Sequence, residues 1–220
     1  EQNYRTSDTL TTHDEMAQWA ASMHTQSIPI AAYGKLFPTP FLKEHDLQFD
    51  PRLSLCEDVD FILRALRQAK VLTLLPHARY HYQPPAAEKN YGEDPLLIGT
   101  TVYGDICELT DDDTYCKPFR RHYIDYAIQG LLYPPAGRAP YTDNELRQFD
   151  YWFYPYLKDS RRLSLGHILF KLLLHSPEPE AIRRTIKIVR TVTRNFIPSG
   201  DKKLNPIQHS RTIDYRTADD

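Results

Sequence analysis

Glu57, Asp58 and Asp60 set three carboxylates within four positions, directly ahead of an apolar helical run, in the segment Leu55-Cys56-Glu57-Asp58-Val59-Asp60-Phe61. Carboxylates so placed do acid-base work on a molecule bound beside them. Val59, Ile62, Leu63, Leu66 and Ala69 follow the i, i+3, i+4, i+7 spacing of a helix with one buried face, so Glu57 and Asp58 fall in its first turn. Free backbone N–H groups and the positive end of the helix dipole stabilise negative charge there. A carboxylate kept ionised in this way is suited to take a proton from a hydroxyl as a general base. The same pair would also serve as a cap that only stabilises the helix. A two-carboxylate hydrolase would instead need a second acid, Asp46 or Asp60, facing Asp58 across roughly 5–9 Å. Asp60, two positions on, points to another side of a helix.

The elements that must position this pair are legible around it. Thr12-x-x-Glu15 is a capping box ahead of a helix whose Met16, Ala20 and Met23 share a face. Pro38 and Pro40 open a short helix through Phe41 and Leu42, and Phe49-Asp50-Pro51 turns the chain toward the acidic helix. Val71 to Leu75 and the alternating Tyr80 and Tyr82 have the pattern of strands. Residues 83–92 carry the Pro, Gly and polar signals of a loop, which makes this stretch the expected domain boundary.

Beyond Pro95 the strand signal fades. Residues 96–110 and 114–132 have helical spacing, and Thr142-x-x-Glu145 is a second capping box. Ile168, Leu172 and Leu173 with His175 are expected to form one apolar face, and Ile182, Ile186, Val189 and Val192 another. The expected fold is α+β and mostly helical, a few-stranded part over 1–84 followed by a loop at 85–95, helices over 96–197 and an extended or disordered tail at 198–220.

The succession Ile30-Ala31-Ala32-Tyr33-Gly34-Lys35-Leu36-Phe37, then Phe41 to Asp50, then the Glu57-Asp58 helix, a strand and Tyr80-His81-Tyr82 resembles the second half of the catalytic domain of family 2 glycosyltransferases. These inverting enzymes of the GT-A fold move a sugar from a nucleotide sugar to an acceptor hydroxyl. The likeness covers residues 28–83 and lies in the order and spacing of the parts. It implies that Asp58 is the catalytic base and Glu57 its neighbour in the acceptor pocket; Tyr33 is a further candidate there, Lys35 would reach a phosphate, orient the base or sit on the surface, and His81 would be a pocket residue, a metal ligand or a simple hydrogen-bonded histidine. Tyr33 and Gly34 stand where many relatives carry Trp and Asn. Family members begin with alternating strands and helices that bind the nucleotide and end in an Asp-x-Asp metal motif, which these 220 residues lack. The chain starts at Glu1 and is therefore expected to be a fragment or a cleaved piece, inactive alone. A divalent Mn or Mg ion is implied for the intact enzyme through the absent half, and none is expected on these residues. Asp111-Asp112-Asp113 comes after the Glu-Asp pair, the wrong order for the family motif, and is expected to be a solvated acidic face or helix cap.

Composition narrows the classes. A formal charge of -2 argues against nucleic acid as the main partner. Cys56, Cys107 and Cys116 are three thiols with no paired metal spacing, which points to a reducing compartment and buried thiols. With no run of eighteen apolar residues and no signal peptide, the expected location is the cytoplasm or the inner face of its membrane. Residues 161–200 carry eight Lys or Arg against Glu178 and Glu180. Arg183, Arg184, Lys187, Arg190 and Arg194 lie mostly opposite the Ile and Val stripe, and such a helix would either rest on an anionic membrane, where lipid-linked acceptors are found, or pack on its neighbour with a solvated face. A non-catalytic partner- or membrane-binding module is the competing function. The cluster Tyr151-Trp152-Phe153-Tyr154-Pro155-Tyr156 would supply flat rings for sugar faces, but on a helix part of it must be core.

Overall fold

The computed structural model describes residues 8–25, 30–75, 94–134, 137–161 and 164–194. The fold is α+β and mostly helical. A strand β1 (Asp8–Leu10) leads to helices α1 (His13–Thr25), α2 (Thr39–Glu44) and α3 (Glu57–Gln68), and strand β2 (Leu72–Leu74) follows. Helices α4 (Pro95–Leu109), α5 (Asp113–Leu132) and α6 (Asp143–Trp152), a 3₁₀ turn (Tyr154–Asp159), α7 (Leu165–Leu173) and α8 (Pro179–Arg194) complete it.

Local chemistry sets the helix starts. Glu15 accepts hydrogen bonds from the N–H groups of Thr11 and Thr12 at 2.8 and 3.0 Å, and Thr12 Oγ1 accepts from Glu15 N–H at 3.2 Å, which satisfies donors that a helix start leaves open. Thr142 and Glu145 make the same reciprocal box on α6. Asp94 caps α4 ahead of Pro95, whose missing N–H costs nothing at the first helical position. Asp112 caps α5, so the acidic triplet at 111–113 includes a helix cap, as expected from its sequence.

Helices α4 and α5 form the central pair. Helices α1 and α3 pack against it from one part of the chain, α6, α7 and α8 from the other. One apolar core runs through all of them, with Met16, Leu63, Ile106, Phe119, Ile128, Phe149, Phe170 and Val189 fully enclosed. The residues on the two sides of the 85–95 segment thus share a core. The sheet is small. β1 pairs antiparallel with β2, Asp8 opposite Leu74 and Leu10 opposite Leu72. The Val71–Leu75 strand is present in shorter form, its partner Asp8–Leu10 carries too short a pattern to be read from sequence, and Tyr80 and Tyr82 lie outside the described residues.

One apolar face differs from expectation. On α7 the buried side is Gly166, His167 and Phe170, continued by Leu174, whereas Leu172 is 64% exposed and His175 is on the surface. His167 is turned inward because its ring is satisfied there: Nδ1 lies 2.9 Å from Ser164 Oγ and Nε2 3.2 Å from the Asp125 carbonyl oxygen. With both ring nitrogens bonded, burial of the imidazole is compatible with a core position. Among the described residues no helix is long and apolar enough to cross a membrane.

Candidate active site

Helix α3 starts as expected, with Glu57 and Asp58 as its first two residues and Ile62, Leu63 and Leu66 buried on one side. Its entry is strained. Cys56, the residue before the helix, has φ +62°, a left-handed conformation that costs a side-chain-bearing residue roughly 1–2 kcal/mol. The Cys56 side chain is buried, and this packing holds the turn. Strain of this kind is concentrated at functional sites, where the surroundings over-determine it.

The loop before α2 supplies the second side of the site. Tyr33 and Gly34 form a turn, Gly34 at φ +69°, which glycine adopts without the Cβ penalty. The turn sends Lys35 back across the loop, where its ammonium donates to the Ala31 carbonyl and lies 5.8 Å from the centre of the Trp19 ring on α1. Lys35 and Asp58, far apart in sequence, sense each other's charge. Burial lowers the Lys35 pKa, and the Asp58 carboxylate opposes that effect.

The electrostatics of Asp58 depart from the expected direction. Its carboxyl pKa is raised, first by burial and then by the neighbouring Glu57, while backbone N–H groups at the helix start and Lys35 pull the other way. Asp58 Oδ1 accepts from Val59 N–H at 2.8 Å. The helix start therefore does stabilise the charge, but desolvation outweighs it. The result is a half-buried carboxyl more basic than a free aspartate, flanked by one anion and one cation.

The structure brings Asp58, Glu57 and Lys35 together. Tyr33, two residues before Lys35, is 41% exposed at the outer edge of the loop. His81 lies outside the described residues. Tyr123 of α5 was not read from sequence as part of this region, yet it is fully enclosed and its phenol is held protonated, first by burial, then by the nearby Cys56, Tyr126 and Asp58. Only the packing of α5 and of α3 against α1 and α4 brings it there, so spacing carried no signal for it.

The remaining acids have other work. Asp60 is buried on a different side of α3, ion-paired with Arg64 at 2.5 Å, and lies next to Asp105 of α4 instead of facing Asp58. Asp46 is exposed. Neither provides the second carboxyl a hydrolase would need beside Asp58. Asp113 pairs with Arg120 at 2.7 Å, and Asp112 caps α5. Among the described residues no group of three or more His, Cys, Asp or Glu side chains is placed to hold a metal ion.

Two arginines of the basic face of α8 bind other parts of the chain. Arg183 reaches the Tyr141 carbonyl at 2.9 Å and pairs with Asp143, while Arg190 donates to the carbonyls of Leu131 and Leu132 at the end of α5. Arg184, Lys187 and Arg194 are exposed. In the aromatic cluster, Phe153 is core and Tyr151 is exposed, with Trp152 between them in burial.

No protein-family model, curated protein or solved structure matches this chain.

Proposed function

We propose that this chain forms the acceptor side of an inverting glycosyltransferase, with Asp58 as the base that activates an acceptor hydroxyl for glycan or polysaccharide synthesis. The observation that carries this reading is the convergence of Asp58 and Lys35 at the strained start of α3, where burial makes the carboxyl unusually basic. A base works best when its pKa is drawn toward the working pH, and the raised Asp58 moves in that direction.

In the reaction the acceptor oxygen attacks the anomeric carbon of the donor sugar from the face opposite the nucleoside diphosphate. Its proton passes to the Asp58 carboxylate as the new C–O bond forms. The bond to the leaving diphosphate breaks and carries its electron pair away, so the configuration inverts. Lys35 keeps Asp58 ionised against the desolvation cost before the proton arrives, and Glu57 raises its affinity for that proton. Nucleotide-sugar binding, and the divalent cation that goes with it, require further polypeptide. Such donors place the work in the cytoplasm, at or near the inner face of the membrane if the acceptor is lipid-linked.

The test uses the gene product that carries this segment, assayed with a panel of nucleotide sugars and Mn2+. Transfer with inversion is expected, and Asp58→Asn should lower turnover by about 10²–10⁴-fold with nucleotide-sugar affinity unchanged. Near-normal turnover in the variant would remove Asp58 as the base. Absence of transfer by the wild-type product across the panel would remove the function.

A further inference from the structure

A cleft whose lining does not include Asp58 lies between α4 and α6. The two helices start side by side, tied by Arg138, which pairs with Asp94 at 2.5 Å and with Glu145 at 2.8 Å. Toward their other ends Trp152 packs against Gly104, where an added Cβ would meet the indole at 3.5 Å. The space between them is about 420 Å³, within the roughly 300–1,000 Å³ of small-molecule sites. Asn144, Gln148 and Trp152 recur at i, i+4 and i+8, so one stripe of α6 faces the cleft along its length.

We propose that this cleft binds an uncharged saccharide, laid against Trp152 and held by Asp105, Asn144 and Gln148.

Three observations converge on that class of ligand. Asp105 lines the cleft and is 9% exposed; its carboxyl meets Asp60 of α3, and its Oδ2 atom receives no donor among the described residues. A buried polar atom without a partner costs free energy until a ligand or water satisfies it. Second, the charges in the wall are already matched by protein groups. Arg52 is bound by Asp50 at 2.6 Å, Glu108 pairs with Arg67, and Glu145 is held by Arg138 and the Thr142 cap. Burial first, and then the charge of Asp60, push Asp105 up to about 8, so it keeps its proton near neutrality. A charged ligand would therefore find no counter-charge. Third, what remains is one aromatic side chain, two primary amides that donate and accept, and the Asp105 carboxyl, which accepts while its proton is shared with Asp60. Sugar rings present the complement, apolar C–H faces with hydroxyls around the rim. The cleft stands on the packing of α4 and α6 and does not depend on the role of Asp58.

The experiment is saturation-transfer NMR on the purified chain with cellobiose, maltose, lactose and N,N′-diacetylchitobiose at millimolar concentrations, alongside glucuronate and the tryptophan emission. At least one disaccharide should bind and shift the emission. Asn144 and Gln148 are exposed, so the double variant Asn144→Ala/Gln148→Ala should stay folded and weaken that binding by about ten-fold, the loss of roughly two neutral hydrogen bonds. Asp58→Asn should leave it unchanged, which separates this site from the proposed catalytic one. No binding by any of the four disaccharides overturns the proposal. So does undiminished binding in the double variant, loss of binding in Asp58→Asn, or glucuronate binding more tightly than the uncharged sugars.

Discussion

Asp105 of α4 lies within hydrogen-bond reach of Asp60 of α3, and both are buried where those helices pack. Asp60 is also ion-paired with Arg64, so the pair is most stable when Asp105 carries a proton. Two carboxylates in one apolar junction cannot both ionise without repulsion.

This relationship makes stability depend on pH. Asp105 is pushed from its ordinary 3.8 up to about 8 in the folded chain, so between those values the folded state holds a proton the unfolded state has lost. Its contribution is complete below about pH 4 and is lost as pH rises toward 8, with a slope of at most about 1.4 kcal/mol per pH unit. Asp105→Asn keeps the shape and donates to Asp60 without titrating. Urea unfolding at about pH 5 and about pH 8 should show a smaller difference in the variant than in the wild type. An unchanged pH dependence would mean that the pair does not share a proton.

Gly130 of α5 sits against the Pro95 ring at the start of α4, where an added Cβ would lie 2.5 Å from the proline Cβ. Alanine favours a helix over glycine by about 1 kcal/mol, but overpacking a rigid ring costs roughly 1–3 kcal/mol. Gly130→Ala should therefore lose about 1 kcal/mol of stability despite its better helix propensity. A denaturation midpoint above that of the wild type would show that α4 and α5 can part there at no cost.

Cys107 on α4 lies against Cys116 of α5, whose thiol donates to the Thr110 carbonyl at 3.3 Å, and Cys116, Tyr103 and Arg120 together bring the Cys107 thiol down to about 7. The Cys116 thiol moves the opposite way, through its contact with Cys107 and its burial. Iodoacetamide labelling followed by mass spectrometry should find Cys107 reacting with a pH midpoint near 7. Cys116→Ala should move that midpoint up toward the ordinary thiol value of about 8.5. Equal midpoints in the two proteins would exclude the thiol pair as the cause.

Arg190 and Arg184 belong to the same basic helix but have different environments. Both are exposed, but Arg190 holds the last carbonyls of α5, where a cation also meets the negative end of the helix, and Arg184 has no such contact among the described residues. Arg190→Gln should cost about 1–2 kcal/mol in thermal or urea unfolding, and Arg184→Gln less than about 0.5 kcal/mol. Equal losses would show that the carbonyl contacts contribute no stability.

Local features were open to reading in the linear chain. The two capping boxes at Thr12 and Thr142, the α3 stripe Ile62, Leu63 and Leu66, and the cap at Asp112 depend on residues within a few positions of one another, and each is found where its spacing places it. The α7 face was misread for a related reason. Its apolar residues surround the helix, so the side that turns inward was chosen by the partners of His167 on α5. The basic stripe of α8 had the same ambiguity, since only tertiary contact gives Arg183 and Arg190 backbone carbonyls at the start of α6 and the end of α5 to bind.

The candidate site divides along the same line. By itself the amino-acid sequence determined that Glu57 and Asp58 open a helix, because periodicity and acidic preference act over one or two turns. Tertiary structure alone decided that Asp58 is a stronger base than its helix position implies, that the charge of Lys35 reaches it, and that Asp60 belongs with Asp105. Desolvation and Coulomb interaction depend on what lies within a few ångströms in space, and that is set by which helices pack together.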